Sequence, residues 1–407
     1  MRTINKRINY AAMIGFYVLS YLSDVVPGGN LLLVADLMLI ALTYCWKSRF
    51  KIAINSPVFL LYIFIMTGYC FASRFWAQIP DLAVSKANAM LFISISMTVL
   101  YVTQYNTVTI DELLRTIMYG GYVVAIYVLA KYGIRGIMSL VSSQTRLKEV
   151  INANTLGVCI AYSMLVSLYY ILYEKRLHFE DCLLIPGLIM LVACGSRKGF
   201  LIVIIGIVAL FVIKNYNRKS FSKSIIRIIF VVIALLIIFF LLSKLSIFSG
   251  IISRLNDMIT LLQGGGSRST SGWIRFRYNE IGLELFRRNP ILGIGLGNSN
   301  IYTMQAFGHD HYLHNNYVEM LATLGLVGTA LYYSVYLYLL SSFYRYRRYR
   351  DGKYDICLVI MVIRLIMDYG GVYFYSKYTY VFLLLFWLYI TRLKKKGILL
   401  SSDSITK

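Results

Sequence analysis

The sequence predicts an all-α polytopic membrane protein. Hydrophobic residues make up 58% of the chain and charged residues only 14%, whereas a soluble domain carries about 25% charged residues. The apolar residues also come in long blocks, such as Ile225–Phe248 and Tyr317–Leu340. Roughly 20 apolar residues in a helix cross a bilayer core of about 30 Å. Lipid offers the backbone no hydrogen-bond partners, so each crossing segment satisfies its own amides as a helix.

About twelve transmembrane helices fit the chain, at 9–26, 30–46, 57–73, 87–103, 115–131, 153–173, 182–195, 198–214, 225–247, 316–340, 354–374 and 376–391. With Met1 inside, the basic runs KSRFK (47–51), EKR (174–176), KNYNRKSFSK (214–223), RYRRYR (345–350) and RLKKK (392–396) all face the cytoplasm. Lys and Arg then number 24 in inside loops and 15 outside, with Lys244 and Arg364 within spans. The outside charges are spread over many more residues, so the positive-inside rule places both termini in the cytoplasm. The chain divides into an N-terminal transmembrane region (1–247), a large external segment (248–315) and a C-terminal transmembrane region (316–407) ending in a basic tail.

A net charge of +23 invites a nucleic-acid reading. The distribution excludes it, because the basic residues sit in short runs between apolar blocks. The six cysteines lie in or beside those blocks without metal-ligand spacing and read as small apolar fillers. Tyr10–Val26 lacks a small-residue cleavage site after it and reads as a first span, not a signal peptide.

Residues able to do chemistry concentrate in the external segment. It holds Gly264–Gly266 and His309, His311 and His314, three of the chain's four histidines. Over Trp273–Arg288 the residues Ile274, Tyr278, Ile281 and Phe286 fall near helical spacing. Asn289-Pro290 stops that helix, and Gly293, Gly295 and Gly297 follow as a flexible turn. His314 and Asn315 stand where the loop re-enters the membrane, followed by nine residues and then Gly325-Leu-Val-Gly328. Taken alone, this describes equally well an interfacial histidine and helix-packing glycines. The 309/311 spacing suits helical metal ligation poorly and no second-shell acid accompanies it, so no metal is expected.

Together, SGWIRFRYNEIGLELFRRNPILGIGLGN (271–298) and HNNYVEMLATLGLVG (314–328) closely resemble the O-antigen ligase/O-antigen polymerase family of integral membrane glycosyltransferases. That family's hallmark is an external His-Asn followed by a spaced Gly-x-x-Gly. An Arg ahead of a Gly-Leu-x-Leu-Phe helix, then Asn-Pro and a Gly-rich turn, usually precede it. Here the Arg is Arg275, ahead of Gly282-Leu-Glu-Leu-Phe286. The resemblance is specific over 255–330. Elsewhere it rests on topology and short matches, and it implies a GT-C-like bundle with short helices in the external loop. One short match, Gly195-Ser-Arg197-Lys198-Gly199, carries over Arg197, whose external charge runs against the positive-inside bias. A weaker one joins Arg146 to Asn152 and Asn154, which serve equally as helix caps.

What the resemblance implies is transfer of a glycan from undecaprenyl diphosphate to an acceptor sugar hydroxyl on a lipid-linked glycan, at the external face of the bacterial inner membrane. A diphosphate leaving group develops negative charge, and Arg is a permanently charged, bidentate donor to phosphate oxygens. Arg275 and Arg197 are the candidates, with Arg146, Lys198, Arg268 and Arg277 nearby and Asn154 contributing to binding. The acceptor hydroxyl loses a proton during attack, for which a neutral His314 is a suitable base. Asn315 then orients the imidazole or a sugar hydroxyl. Arg364 and Asp368, four residues apart in one span, read as a structural ion pair or as a cation beneath the phosphate site. No Asp-x-Asp cluster lies outside, so neither a metal nor a cofactor is expected. The implied partners are the lipid-linked donor and acceptor, membrane lipid and a chain-length regulator.

Three functions fit. A polymerase extends lipid-linked repeat units of O-antigen, capsule or exopolysaccharide, and HNNYVEMLATLGLVG with YGGVYFYSKYTYVF (369–382) reads most like that group. An O-antigen ligase moves the glycan onto lipid A-core. A transporter or flippase would show half-to-half symmetry and interrupted midplane spans, whereas the polar residues here gather in one external loop.

Overall fold

The computed structural model describes residues 2–48, 57–142, 152–174, 178–215 and 271–403. Predicted span nine (225–247), Arg146 and Arg268 lie outside them. Among the described residues the chain is all-helical, without a strand. Its helices are α1 (Arg2–Leu22), α2 (Gly29–Ser48), α3 (Val58–Ala72), α4 (Pro80–Gln104), α5 (Ile110–Ser142), α6 (Ala153–Glu174), α7 (Leu184–Cys194), α8 (Arg197–Asn215), α9 (Ser271–Arg288), α10 (Ser299–Phe307), α11 (Asn316–Arg345), α12 (Gly352–Met367) and α13 (Lys377–Asp403). Seven described stretches are long and apolar enough to cross a membrane: Gly29–Trp46, Val58–Phe75, Pro80–Gln104, Ile110–Gly133, Ala153–Glu174, Arg197–Asn215 and Asn316–Arg345. The chain is a polytopic helical membrane protein.

Predicted span seven differs. The expected 182–195 helix is a 3₁₀ turn (Phe179–Leu183) followed by the 11-residue α7, about 16 Å long and half a bilayer core. Gly195 ends α7 in the left-handed conformation (φ 56°), its N–H bonding the Val192 carbonyl. Ser196 then caps α8 by accepting the Gly199 N–H at 3.3 Å.

Two compact units arise from these helices. In the first (1–43, 108–256, 350–363), α6 packs against α5, α7 and α8, and α1 packs on α5. Arg115 ties this unit together at one end, pairing with Asp111 at 3.2 Å and Glu180 at 2.5 Å. Desolvation opposes ionisation of Glu180. Its bonds from Tyr119 and Arg115 outweigh that and hold its carboxyl below the ordinary glutamate range.

The second unit (44–107, 257–349, 364–407) joins α3, α4, α11 and α13 with the loop helices α9 and α10. Its organising feature is a break in α11. The sequence reading took 316–340 as continuous, but Gly325 sits at φ 65°, ψ −167°, a region open essentially to glycine alone. The break strips helical partners from the carbonyls just before it, and Ala322, Thr323 and Leu324 are fully buried, so these groups need other partners. The chain supplies them itself. Ala322 O accepts from Ile294 N–H at 2.9 Å, Thr323 O from Gly295 N–H at 2.9 Å, and Leu324 O from Tyr69 Oη at 2.9 Å. In return, Leu326 N–H donates to Pro290 O at 2.8 Å and Val327 N–H to Ile291 O at 3.2 Å. The glycine-rich turn is therefore not a flexible connector but the partner of the broken helix. A Cβ on Gly325 would lie 2.2 Å from Ile291 O, which is why the two backbones can meet only there.

The same turn grips the α3–α4 connection. Leu296 N–H donates to Ser73 Oγ at 3.2 Å and Trp76 Nε1 to Leu292 O at 3.1 Å. Asn298, fully buried, accepts from Ile79 N–H at 2.7 Å and donates to Ile79 O at 3.2 Å.

Candidate active site

The loop helix α9 was legible in its spacing, and its buried face does what that spacing implies. Tyr278 and Leu285 pack with Ile294, Leu313, Val318 and Ala322 into a small core, joined by Ile274, Ile281, Tyr302 and Phe307. This core holds α9 and α10 against the N-terminal part of α11. Between α9 and α10 lies a cavity of about 260 Å³, walled by Ile281, Leu285 and Ala306 and by Glu284, Arg288, Tyr302 and Gln305.

The segment 309–315 crosses the top of this core and is held at both ends of its backbone. Thr303 Oγ1 accepts from His311 N–H at 3.0 Å and donates to His311 O at 2.8 Å. Glu319, 2% exposed, accepts from Leu313 N–H at 2.8 Å and from Ser299 Oγ at 2.7 Å. Between these anchors His314 adopts φ 58°, the only positive φ at a non-glycine residue among those described. Such a conformation persists where the surroundings over-determine it, and it clusters at functional sites.

Four rings converge here. His311 and His314 stack with centroids 4.4 Å apart and planes at 25°. Tyr278 stacks with both, at 6.0 Å and 23° to His311 and at 5.8 Å and 18° to His314. Tyr312 meets His314 at 4.5 Å with a tilt of 58°. His309 Nδ1 lies 3.0 Å from Phe307 O and its Nε2 3.1 Å from Tyr278 Oη. The carbonyl can only accept, so Nδ1 carries the proton and Tyr278 donates to Nε2. The same logic applies to His311, whose Nδ1 is 3.2 Å from Tyr312 O, leaving Nε2 as the acceptor.

Electrostatics favour neutral imidazole at His311. Burial lowers its affinity for a proton, and His309 and Arg275 lower it further. The Tyr312 carbonyl and Asp310 oppose them without reversing the direction. Burial likewise raises the Tyr312 phenol, against a smaller lowering by Arg275. Arg275, one turn before Tyr278 on α9, thus acts electrostatically on both His311 and Tyr312.

The other predicted residues fall in different places. Arg277 is half-exposed and pairs with Glu280 at 2.5 Å. Asn315 is 4% exposed and caps α11, accepting the N–H groups of Tyr317 at 3.1 Å and Val318 at 3.4 Å. Its carbonyl oxygen faces the helix, not an imidazole. Asn316 is fully buried and binds the 368–374 connection, donating to Asp368 Oδ2 at 3.2 Å and accepting from Tyr373 N–H at 2.9 Å and Phe374 N–H at 3.1 Å. Arg364 is 1% exposed, donates to Thr379 Oγ1 at 2.6 Å, and has its guanidinium 5.2–5.7 Å from the rings of Tyr373, Tyr378 and Phe382.

In the first unit, Arg197 and Lys198 open α8 and are half-buried. Two cations at a helix N-terminus stand against the helix dipole, an arrangement that an anion relieves. Asn154 lies in the first turn of α6, its N–H donating to Asn152 Oδ1 at 2.9 Å, so Asn152 is the cap.

Sequence reasoning missed Tyr278, His311, Thr303 and Glu319 as parts of the site. Only Glu319 left a signal, as a carboxylate five residues after His314 within an apolar run.

Residues 182–333 match the family model described as O-antigen ligase. The matched segment, somewhat over a third of the chain, holds Arg197, Arg275, the histidine cluster and the Gly325 break, and over that span the chain is similar to the O-antigen ligase family. No curated protein matches the chain.

Proposed function

We propose that this chain polymerises lipid-linked oligosaccharide repeat units, transferring the growing glycan from undecaprenyl diphosphate to a sugar hydroxyl of an incoming unit at the external face of the bacterial inner membrane. The observation that supports this reading is His314 on a clamped loop, stacked on His311, with the charge of Arg275 on α9 acting on His311, all inside the matched segment.

The acceptor oxygen attacks the anomeric carbon as the bond from that carbon to the diphosphate oxygen breaks. His314 takes the hydroxyl proton, and the diphosphate leaves with the bonding pair. Arg275 stabilises the charge that develops on it, a term that electrostatic catalysis makes large. Arg197 and Lys198, at the start of α8, are separate candidates for contact with an anion. A single displacement inverts the anomeric configuration. The recess between α9 and α10, part apolar and part polar, suits a pyranose with its C–H face on Ile281 and Leu285.

Purified protein in liposomes is expected to elongate lipid-linked repeat units with chelator present and no nucleotide added, drawing on the sugar–diphosphate bond. Strict dependence on divalent metal would defeat the assignment of phosphate charge to arginines. The description of the matched family favours a second reading, ligation to lipid A-core. Transfer to that acceptor, with no elongation of repeat units, would establish it instead.

Arg275→Lys separates a bidentate phosphate contact from a mere positive charge. It keeps the charge and loses the planar fork, so kcat/KM is expected to fall roughly 10- to 100-fold. A wild-type value would return Arg275 to the role of solvated charge.

A further inference from the structure

Resting on the reaction just proposed, we infer that His311 is a positioning residue for His314: its ring forms one wall of an aromatic clamp, with Tyr278 and Tyr312, that fixes the His314 imidazole for proton abstraction.

Five features of the site point to this. The His311 ring lies closest to His314 among the stacked pairs, 4.4 Å between centroids, and Tyr278 stacks on both imidazoles at once. Tyr312 closes the edge at 4.5 Å. Thr303 brackets the His311 backbone through both its N–H and its carbonyl, so the ring is presented from a fixed point. His309, held to Tyr278 Oη at 3.1 Å, braces the outer side of the clamp.

A base at φ 58° lacks the support a helix or strand gives a side chain, and ring walls supply it. The stacked geometry also excludes a proton relay between the two imidazoles, because parallel rings do not aim N–H at N. His311 therefore works by shape and by charge. The titratable and charged groups facing it are Arg275 and Tyr278 from α9, and His309, Asp310, Tyr312 and His314 from its own segment. Burial, His309 and Arg275 keep its ring neutral to lower pH than an ordinary histidine. Once His311 does take a proton, an imidazolium stands against the face of His314 and disfavours a second positive charge there. The neutral His314 is then a weaker base, so protonation of His311 adds its own loss to the acid side of the rate profile.

The test compares His311→Phe and His311→Ala with wild type in elongation of lipid-linked repeat units across pH. Phe keeps a flat ring and removes the titration, so its rate near pH 8 is expected within about threefold of wild type, with the acid limb moved to lower pH. Ala removes the wall, so kcat is expected to fall about tenfold or more while KM for the donor changes little. A loss in His311→Phe as deep as that of His314→Ala would make His311 the base itself and overturn the inference. So would wild-type rates and an unmoved acid limb in both variants. Melting of each variant in detergent checks folding, and if the Ala protein unfolds, the acid limb of the Phe protein decides. Failure of the wild-type protein to elongate any lipid-linked unit would count against the proposed reaction, a result distinct from either of these.

Discussion

His314→Ala is expected to lower the rate of polymer formation by about 10²–10⁴-fold, the usual consequence of removing a general base, with protein level and membrane insertion unchanged. Polymer yield on gels and initial rates in liposomes measure it. Because His314 sits at φ 58°, an alanine there also meets a backbone cost, which would blur the reading. His314→Asn removes that ambiguity, since Asn enters the left-handed region readily. Equal loss in both variants assigns the effect to the imidazole. Wild-type polymer from either would leave His314 a packing residue at the loop's end.

The second large effect is structural. Gly325→Ala places a Cβ 2.2 Å from Ile291 O and 2.6 Å from Gly293 N, both backbone atoms that cannot swing aside. The φ/ψ region adds roughly 1–3 kcal/mol of strain. Relief requires pulling the glycine-rich turn off α11, which exposes the carbonyls of Ala322 and Thr323. A marked drop in melting temperature in detergent is expected, together with loss of activity that no substrate concentration restores. Gly68→Ala is the control, since nothing lies within 4 Å of a Cβ there. A Gly325→Ala protein that melts like wild type would show that the turn and the broken helix are not coupled.

These features differ in how far the sequence displays them. The α9 helix was legible because Ile274, Tyr278 and Ile281 repeat at helical spacing and Asn289-Pro290 stops them, all local signals. Asn315 was visible as a residue, but its capping role was not, since an Asn before an apolar run is as good a cap as a ligand. Gly325 was visible too, yet a lone glycine in an apolar stretch fits packing as well as a break. What decides it is Gly293, 32 residues away in the chain. The clamp around His314 was hidden for the same reason. Tyr278 reads as a core aromatic on α9, and nothing local says that its ring closes on histidines carried by another segment.

The break in α11 also sets a depth. Below it run the 20 residues of Leu326–Arg345, about 30 Å of helix, the thickness of the hydrocarbon by themselves. The nine residues from Asn316 to Leu324 are therefore surplus to the crossing and add about 13 Å. They form a pedestal beneath the histidine segment. A polyprenyl carrier keeps its chain in the hydrocarbon and its diphosphate at the level of the lipid headgroups. For the reaction proposed above, a pedestal of that length would let the donor react without leaving the bilayer, and slower turnover in a thicker membrane is the expected result.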